Sequence, residues 1–223
     1  MFPLKDTQPS YSRPVVTMAI IAANLLVFLF EATLGPRTLN AFVEYYGLVP
    51  DHFQWSRIFT SMFLHGGWMH VLGNMWFLWI FGDNIEDLLG HGKYLLFYLL
   101  CGIVAALGQV IANPYSTAPM VGASGAIAGV MGAYLIKFPR ARIVTLVFIM
   151  FFVTTLEIPA PIMLVFWFVM QLFSGFGSIA ATHVSGGGTA FFAHIAGFVA
   201  GMLLVKVMGS SDLYNRRRDR YWG

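Results

Sequence analysis

The sequence predicts an all-α membrane protein, a bundle of six transmembrane helices with a long first outer loop. Three observations predict it. Hydrophobic residues make up 58% of the 223-residue chain and charged residues only 10%, where a soluble domain averages about 25% charged. Apolar runs recur near the roughly 20-residue length needed to cross a bilayer, and mean hydropathy is +0.72. The basic residues also fall almost entirely on one side of those runs.

Taken in order, residues 1–14 are polar and form a cytoplasmic N-terminal segment, with no cleavable signal expected because the first apolar run, Val15–Leu34, is too long for one. Residues 15–208 form the membrane domain. The outer loop Gly35–Gly67 carries Tyr45, Tyr46, Phe53, Trp55 and Phe59 and should pack into the outer leaflet. Trp68–Leu89 and Tyr94–Ala112 are the second and third spans. A polar break at Asn113–Pro119 precedes a short fourth run, Ser124–Phe138, read as a helix that begins below the surface. Ile143–Thr155 lies between Pro139 and Pro159, is too short to span, and is rich in β-branched and aromatic residues. We read 139–158 as a connection at the inner face. Pro159–Phe176 and Thr189–Met208 complete the six, joined by an outer loop, Gly177–Gly188, that ends in three glycines and should be flexible. Residues 209–223 form a basic cytoplasmic tail.

Charge decides between six spans and seven. With six, and the N-terminus inside, eleven of the 13 Lys and Arg lie on the inner side. Only Arg37 and Arg57 lie outside, which is the positive-inside pattern. A seventh span would send the cluster Arg216–Arg220 outside. No nucleic-acid partner is expected from a net charge of +3 distributed in this way. The single cysteine, Cys101, sits in an apolar run and is read as core packing.

Polar residues within the spans are few, so each asks for a reason. Asn24, Gln109 and Gln171 are read as interhelical hydrogen-bonding groups. Ser124 stands where a loop becomes a helix, in Val121-Gly-Ala-Ser-Gly-Ala-Ile-Ala-Gly129. A helix N-terminus offers unpaired N–H groups and partial positive charge to an oxyanion; it also suits an ordinary serine cap. His70 and Asn74, four apart, share one face of the second span. His194 begins a stripe with Gly197 and Gly201, and the fourth span offers its own stripe at Gly125, Gly129 and Gly132. Small stripes let backbones approach closely, which would bring His194 toward Ser124. At 1.5 Å of rise per residue, Ser124, His194 and Asn74 each lie about 18–20 Å from the first charge at the inner end of their spans. All three then share one level, roughly 10 Å below the outer surface. A serine and a histidine at one level, with two amide or imidazole donors nearby, fit a nucleophile, a base and oxyanion stabilisers. They fit equally a buried polar cluster that fixes helix packing.

Other classes are less well served. A channel or transporter should show inverted repeats or midplane charges, and neither is visible. A metal peptidase drawn from His65, His70 and His194 lacks H-E-x-x-H and any acidic ligand, so no metal or other cofactor is expected. His65 is read as a polar group at the membrane surface, and His52, His91 and His183 are given no role.

The segments His65-Gly-Gly-Trp-Met-His70-Val-Leu-Gly-Asn74, Gly122-Ala-Ser124-Gly125 and Ala193-His194-Ile-Ala-Gly197-Phe-Val-Ala-Gly201 resemble the rhomboid intramembrane serine proteases, in the minimal six-span form of bacteria and archaea. The resemblance implies a Ser124–His194 dyad without a third carboxylate, the serine as nucleophile and the histidine as general base. His70, Asn74 and the Ser124 backbone N–H would hold the oxyanion, with Gly122, Gly125, Gly129, Gly197 and Gly201 packing the helices around them. The substrates implied are transmembrane segments of other proteins in the cell membrane, cut on the outer side with both termini of the enzyme inside. A silent relative that binds and escorts such segments is the alternative; it should lack the serine or the histidine. Two positions depart from the family pattern. Some members place an aromatic four residues after the serine, against the base, where this chain has Ala128. Many carry adjacent Trp and Arg in the outer loop, where Ser56 here separates Trp55 from Arg57. Glu86 matches a family position with a structural hydrogen-bonding role, and Glu31 is the one carboxylate near the outer end of a span.

Overall fold

The computed structural model describes residues 2–149, 152–180, 190–212 and 214–215. The glycines at 186–188, His183 and the Arg216–Arg220 cluster lie outside the described residues. Among these residues eight α-helices dominate: α1 (Val15–Thr33), α2 (Pro36–Tyr46), α3 (Trp55–Ser61), α4 (Trp68–Leu89), α5 (His91–Ala112), α6 (Ser124–Lys137), α7 (Ala160–Ala180) and α8 (Phe191–Met208). Among the described residues, α1, α5 and α8 are long and apolar enough to cross a membrane. Helix α4 has the length but holds Asp83, Glu86 and Asp87 near its end. Helix α6, with 14 residues, rises only about 21 Å.

Helix α6 is the centre of the bundle, buried without interruption from Gly125 to Tyr134. It meets α8 along a seam of glycines. A Cβ on Gly201 would sit 1.8 Å from the carbonyl oxygen of Gly129, and one on Gly197 would sit 2.0 Å from that of Gly125. On the α6 side, a Cβ on Gly132 would sit 2.1 Å from the Phe198 carbonyl oxygen. Backbone therefore meets backbone, as the two glycine stripes predict. The opposite flank of α6 packs on α5, where a Cβ on Gly129 would strike Cys101 at 2.5 Å and one on Gly125 would strike Ala105 at 2.6 Å. Cys101 is fully buried there as a small packing residue.

The all-α expectation needs correction at 139–158. That stretch forms two antiparallel strands, β2 (Arg142–Ile149) and β3 (Phe152–Pro159), in register from Arg142↔Pro159 to Ile149↔Phe152. Its Val, Ile, Thr and Phe residues suit a pleated surface better than a helix. The N-terminal segment adds a third strand, β1 (Phe2–Asp6), antiparallel to β2. The sheet is tied to the bundle by side chains. Trp76 Nε1 donates to the Pro3 carbonyl at 2.6 Å, and the Tyr134 hydroxyl donates to Asp6. Helix α1 is held at its start by α4: Glu86 accepts from the Val16 and Thr17 amides, both at 2.8 Å, and from the Thr17 hydroxyl at 2.7 Å. A carboxylate there satisfies unpaired amides and meets the positive end of the helix dipole.

The first loop holds α2 and α3. Helix α2 buries none of its residues, and Tyr45 and Trp55 are two-thirds exposed. Arg57 is half-buried. Asn24 does not bridge helices; its amide donates to the Ile20 carbonyl of its own helix. Gln109 does bridge, accepting from the Ala193 amide at the start of α8.

Candidate functional site

Ser124 is the first residue of α6, and the backbone turns into the helix at Gly122, whose φ is +123°. A side chain would be strained in that conformation. It would also be blocked, because a Cβ on Gly122 would lie 2.8 Å from His70 Nε2 and 3.5 Å from Asn74 Nδ2. The Gly122 amide donates to the Ser61 carbonyl at 2.8 Å and fixes the turn. The glycine thus admits the His70 ring and the Asn74 amide beside the serine.

The α6–α8 seam sets His194 against Ser124. His194 Nε2 and Ser124 Oγ are 2.7 Å apart, from helices 70 residues apart in sequence. The imidazole is 7% exposed, while Ser124 is half-buried. Ser124, His194, His70 and Asn74 line one cavity of about 230 Å³, with Met69, Gly73, Phe77, Ile127, Met131, Trp167 and Gln171. The four chemistry-bearing groups singled out in the sequence thus line one cavity.

Two groups of α7 reach the same imidazole. Gln171 Oε1 lies 2.8 Å from His194 Nδ1. The Trp167 ring lies 5.8 Å from the His194 ring, tilted by 38°. Gln171 is an interhelical hydrogen-bonding residue as expected, but its partner is His194, which the sequence did not reveal. An aromatic beside the base does exist, on α7 rather than at Ala128. The spacing of Trp167 and Gln171, four apart on one helical face, was the available signal.

His65 corrects the reading of a surface group. It is 3% exposed, and its Nε2 accepts from Asn74 Nδ2 at 3.0 Å while its Nδ1 donates to the Phe63 carbonyl at 3.3 Å. Its backbone amide donates to Glu31, itself fully buried, at 3.2 Å. Burial, with a smaller contribution from nearby His70, lowers the His65 pKa from 6.5 to about 4. The ring is neutral at neutral pH, as its accepting Nε2 requires. Next to it, the Gly66 amide donates to His70 Nδ1 at 3.3 Å. His70 then carries its proton on Nε2, the atom facing Gly122. Asn74 and His70 thus each have one hydrogen-bonding edge fixed by the 65–66 loop. Glu31 supports that loop and does not touch His194. His91 pairs with Glu86 at 2.6 Å and His52 with Asp51 at 3.5 Å, both away from the cavity. No group of metal-ligating side chains occurs among the described residues.

Comparison with known proteins bears on this constellation. Residues 52–211 match the model of the Rhomboid domain family. Over 127 residues the chain is 36% identical to "Rhomboid protease GluP" of Bacillus subtilis (strain 168), covering 55% of this chain and 24% of that protein. It is 34% identical over 124 residues to "Putative rhomboid protease YdcA" of the same organism, covering 55% and 61%. To the human "Presenilin-associated rhomboid-like protein, mitochondrial" it is 33% identical over 137 residues, covering 59% and 35%. The matched regions thus span less than two-thirds of each relative's length. The matched segment begins before α3 and ends past α8, so it takes in every residue that lines the cavity. This integral membrane protein belongs to the rhomboid family.

Proposed function

We propose that the protein is an intramembrane serine endopeptidase that cuts peptide bonds in or near transmembrane segments of other membrane proteins. One observation carries the reading: a serine hydroxyl at 2.7 Å from an imidazole nitrogen in a cavity that also presents His70 and Asn74. The membrane domain is read as six spans, α1, α4, α5, α6, α7 and α8. The basic ends of α6 and α8, at Lys137 and Lys206, lie on the inner side, and the cavity opens outward.

In this mechanism Ser124 Oγ attacks the scissile carbonyl carbon while its proton passes to His194 Nε2. The carbonyl electron pair moves onto oxygen, which the Ser124 N–H, His70 Nε2 and Asn74 Nδ2 receive. Collapse expels the amine, which takes the proton from His194. Water then attacks the acyl-enzyme, again with His194 as base, and Ser124 is restored. Each oxyanion donor is worth roughly 2.7–4 kcal/mol of barrier in comparable sites. A substrate helix has its amides already paired, so it must unwind locally before the cut, and helix-breaking residues near the bond should help.

The test is covalent. The purified protein in detergent is exposed to a fluorophosphonate, and the adduct is located by mass spectrometry. The expected result is a single adduct on Ser124, lost in both Ser124→Ala and His194→Ala. Undiminished labelling of the His194→Ala protein would overturn the mechanism.

A further inference from the structure

We propose that Gln171 is a positioning residue for His194, a neutral third member that sets the tautomer of the base. The inference rests on the reading of Ser124 and His194 as nucleophile and base. A side-chain carbonyl can only accept, so Oε1 at 2.8 Å requires the proton on Nδ1. Nε2 is then left with a lone pair, and it is Nε2 that faces Ser124 Oγ. With the proton on Nε2 instead, the ring would donate to the serine oxygen and could not take its proton. Gln171 thus selects the one neutral form of His194 that works as a base. This is the role that a buried carboxylate plays in other serine hydrolases, where the wrong tautomer is costly.

Geometry supports the assignment independently of the hydrogen bond. Trp167, one helical turn before Gln171, lies against the same imidazole and against Phe198, one turn after His194 on α8, at 6.0 Å. Phe168 stacks on Phe198 at 4.7 Å. These contacts hold the Gln171 face of α7 against α8. The outward face of α7 is left exposed, with Phe166 at 66% and Phe173 at 72%. The carboxylates near this end of the bundle leave the role open to an amide: Glu31 is engaged with the His65 amide.

Three readouts on the full chain test this. Histidine ¹⁵N NMR of the protein in micelles should show His194 with a protonated Nδ1, and Gln171→Leu should convert it to a mixture of tautomers. In the same variant the maximal rate of fluorophosphonate labelling should fall roughly 10–100-fold, less than the ~10⁴-fold known for loss of a charged third member, with half-saturation unchanged. Gln171→Glu keeps an acceptor at Nδ1 and guards against a general loss of fold. It should keep the Nδ1–H tautomer and move the acid limb of the labelling profile to higher pH, because a carboxylate favours the imidazolium. A purely structural role would lower thermal stability without moving that limb. The proposal is overturned if Gln171→Leu keeps the Nδ1–H tautomer and labels at the unsubstituted rate. Absence of labelling in the unsubstituted protein would instead count against the protease reading, while the NMR result still decides the role of Gln171.

Discussion

Helix α6 has a buried polar network at each end, and the two are made of different chemistry. At its N-terminal end, imidazoles and amides meet around Ser124: His194, Gln171, His70, Asn74 and His65. All of these but His65 line a cavity with Ser124, and Ser124 and His70 remain half-buried. Toward its C-terminal end the groups are carboxylates. Glu86 and Asp87 gather the amides and hydroxyls of residues 12–17, and Asp6 takes the Tyr134 hydroxyl. Glu86 is fully buried there. The contrast is one of use. Buried polar groups in an apolar bundle must be satisfied, and at one end they are satisfied by one another around open space, while at the other they bind chain segments together. The glycine seam between the ends lets one rigid helix serve both.

The largest effect should come from the seam, which both ends share. Gly201→Leu would drive a branched side chain into the Gly129 backbone, where even a Cβ meets the carbonyl oxygen at 1.8 Å. No rotamer relieves a clash with backbone, so α8 must move away from α6. The expected outcome is loss of a stably folded protein, read as aggregation on size-exclusion chromatography in detergent. A folded, labelling-competent Gly201→Leu protein would show that α6 and α8 are not locked together as described.

Next in size is Glu86→Ala, which tests whether the carboxylate end serves structure alone. It strips three hydrogen bonds from the start of α1 and one from His91, leaving buried amides without partners. A buried donor left without its partner typically costs about 1–3 kcal/mol. Thermal stability should fall by that measure, while the protein that remains folded labels at the unsubstituted rate per molecule. A fall in labelling rate without a fall in stability would break the distinction between the ends.

How far these ends were legible beforehand follows from what each depends on. The approach of His194 to Ser124 was legible because glycine spacing is a local rule: Gly197 and Gly201 share a stripe with His194, and Ser124 opens a helix. The support around it was not. Gln171 and His65 are single polar residues whose partners are set by how α7 and the 62–67 loop pack, and no periodicity reports that. The hairpin at 142–159 announced itself only as β-branched content. Its pairing with residues 2–6 is a contact between positions about 140 apart, and the polar N-terminal segment gave no sign of it.

Acid sharpens the comparison further, because the two ends should respond to it with opposite sign. His65 is held neutral in the fold, with its pKa lowered to about 4. Between pH 6.5 and 4 the unfolded chain therefore binds more protons there than the native one, and this contribution to stability is lost as pH falls through that window. His65→Leu should remove that loss. It should also slow fluorophosphonate labelling about tenfold, a barrier change of about 1.4 kcal/mol, by freeing the Asn74 amide to turn away from the serine. A labelling rate unaffected by His65→Leu would mean that Asn74 needs no such anchor.

Asp6 gives the smallest and the mirror-image effect. Burial is the main cause that raises its pKa from 3.8 to about 6, outweighing the Tyr134 hydroxyl, which lowers it. Asp83 stands close enough for the two acids to repel when both are charged. Here the native state holds the extra proton, so stability from this group is complete below about pH 3.8 and declines as pH rises to about 6. Asp6→Asn keeps a side-chain carbonyl to accept from Tyr134 and removes the titrating charge. Melting curves across pH 4–7 should then lose the decline assigned to Asp6 and keep the rise assigned to His65, so the variant gains stability relative to the parent as pH increases. If the difference between the two proteins stays flat over that range, Asp6 is not buried against Tyr134 as the strand pairing of residues 2–6 requires.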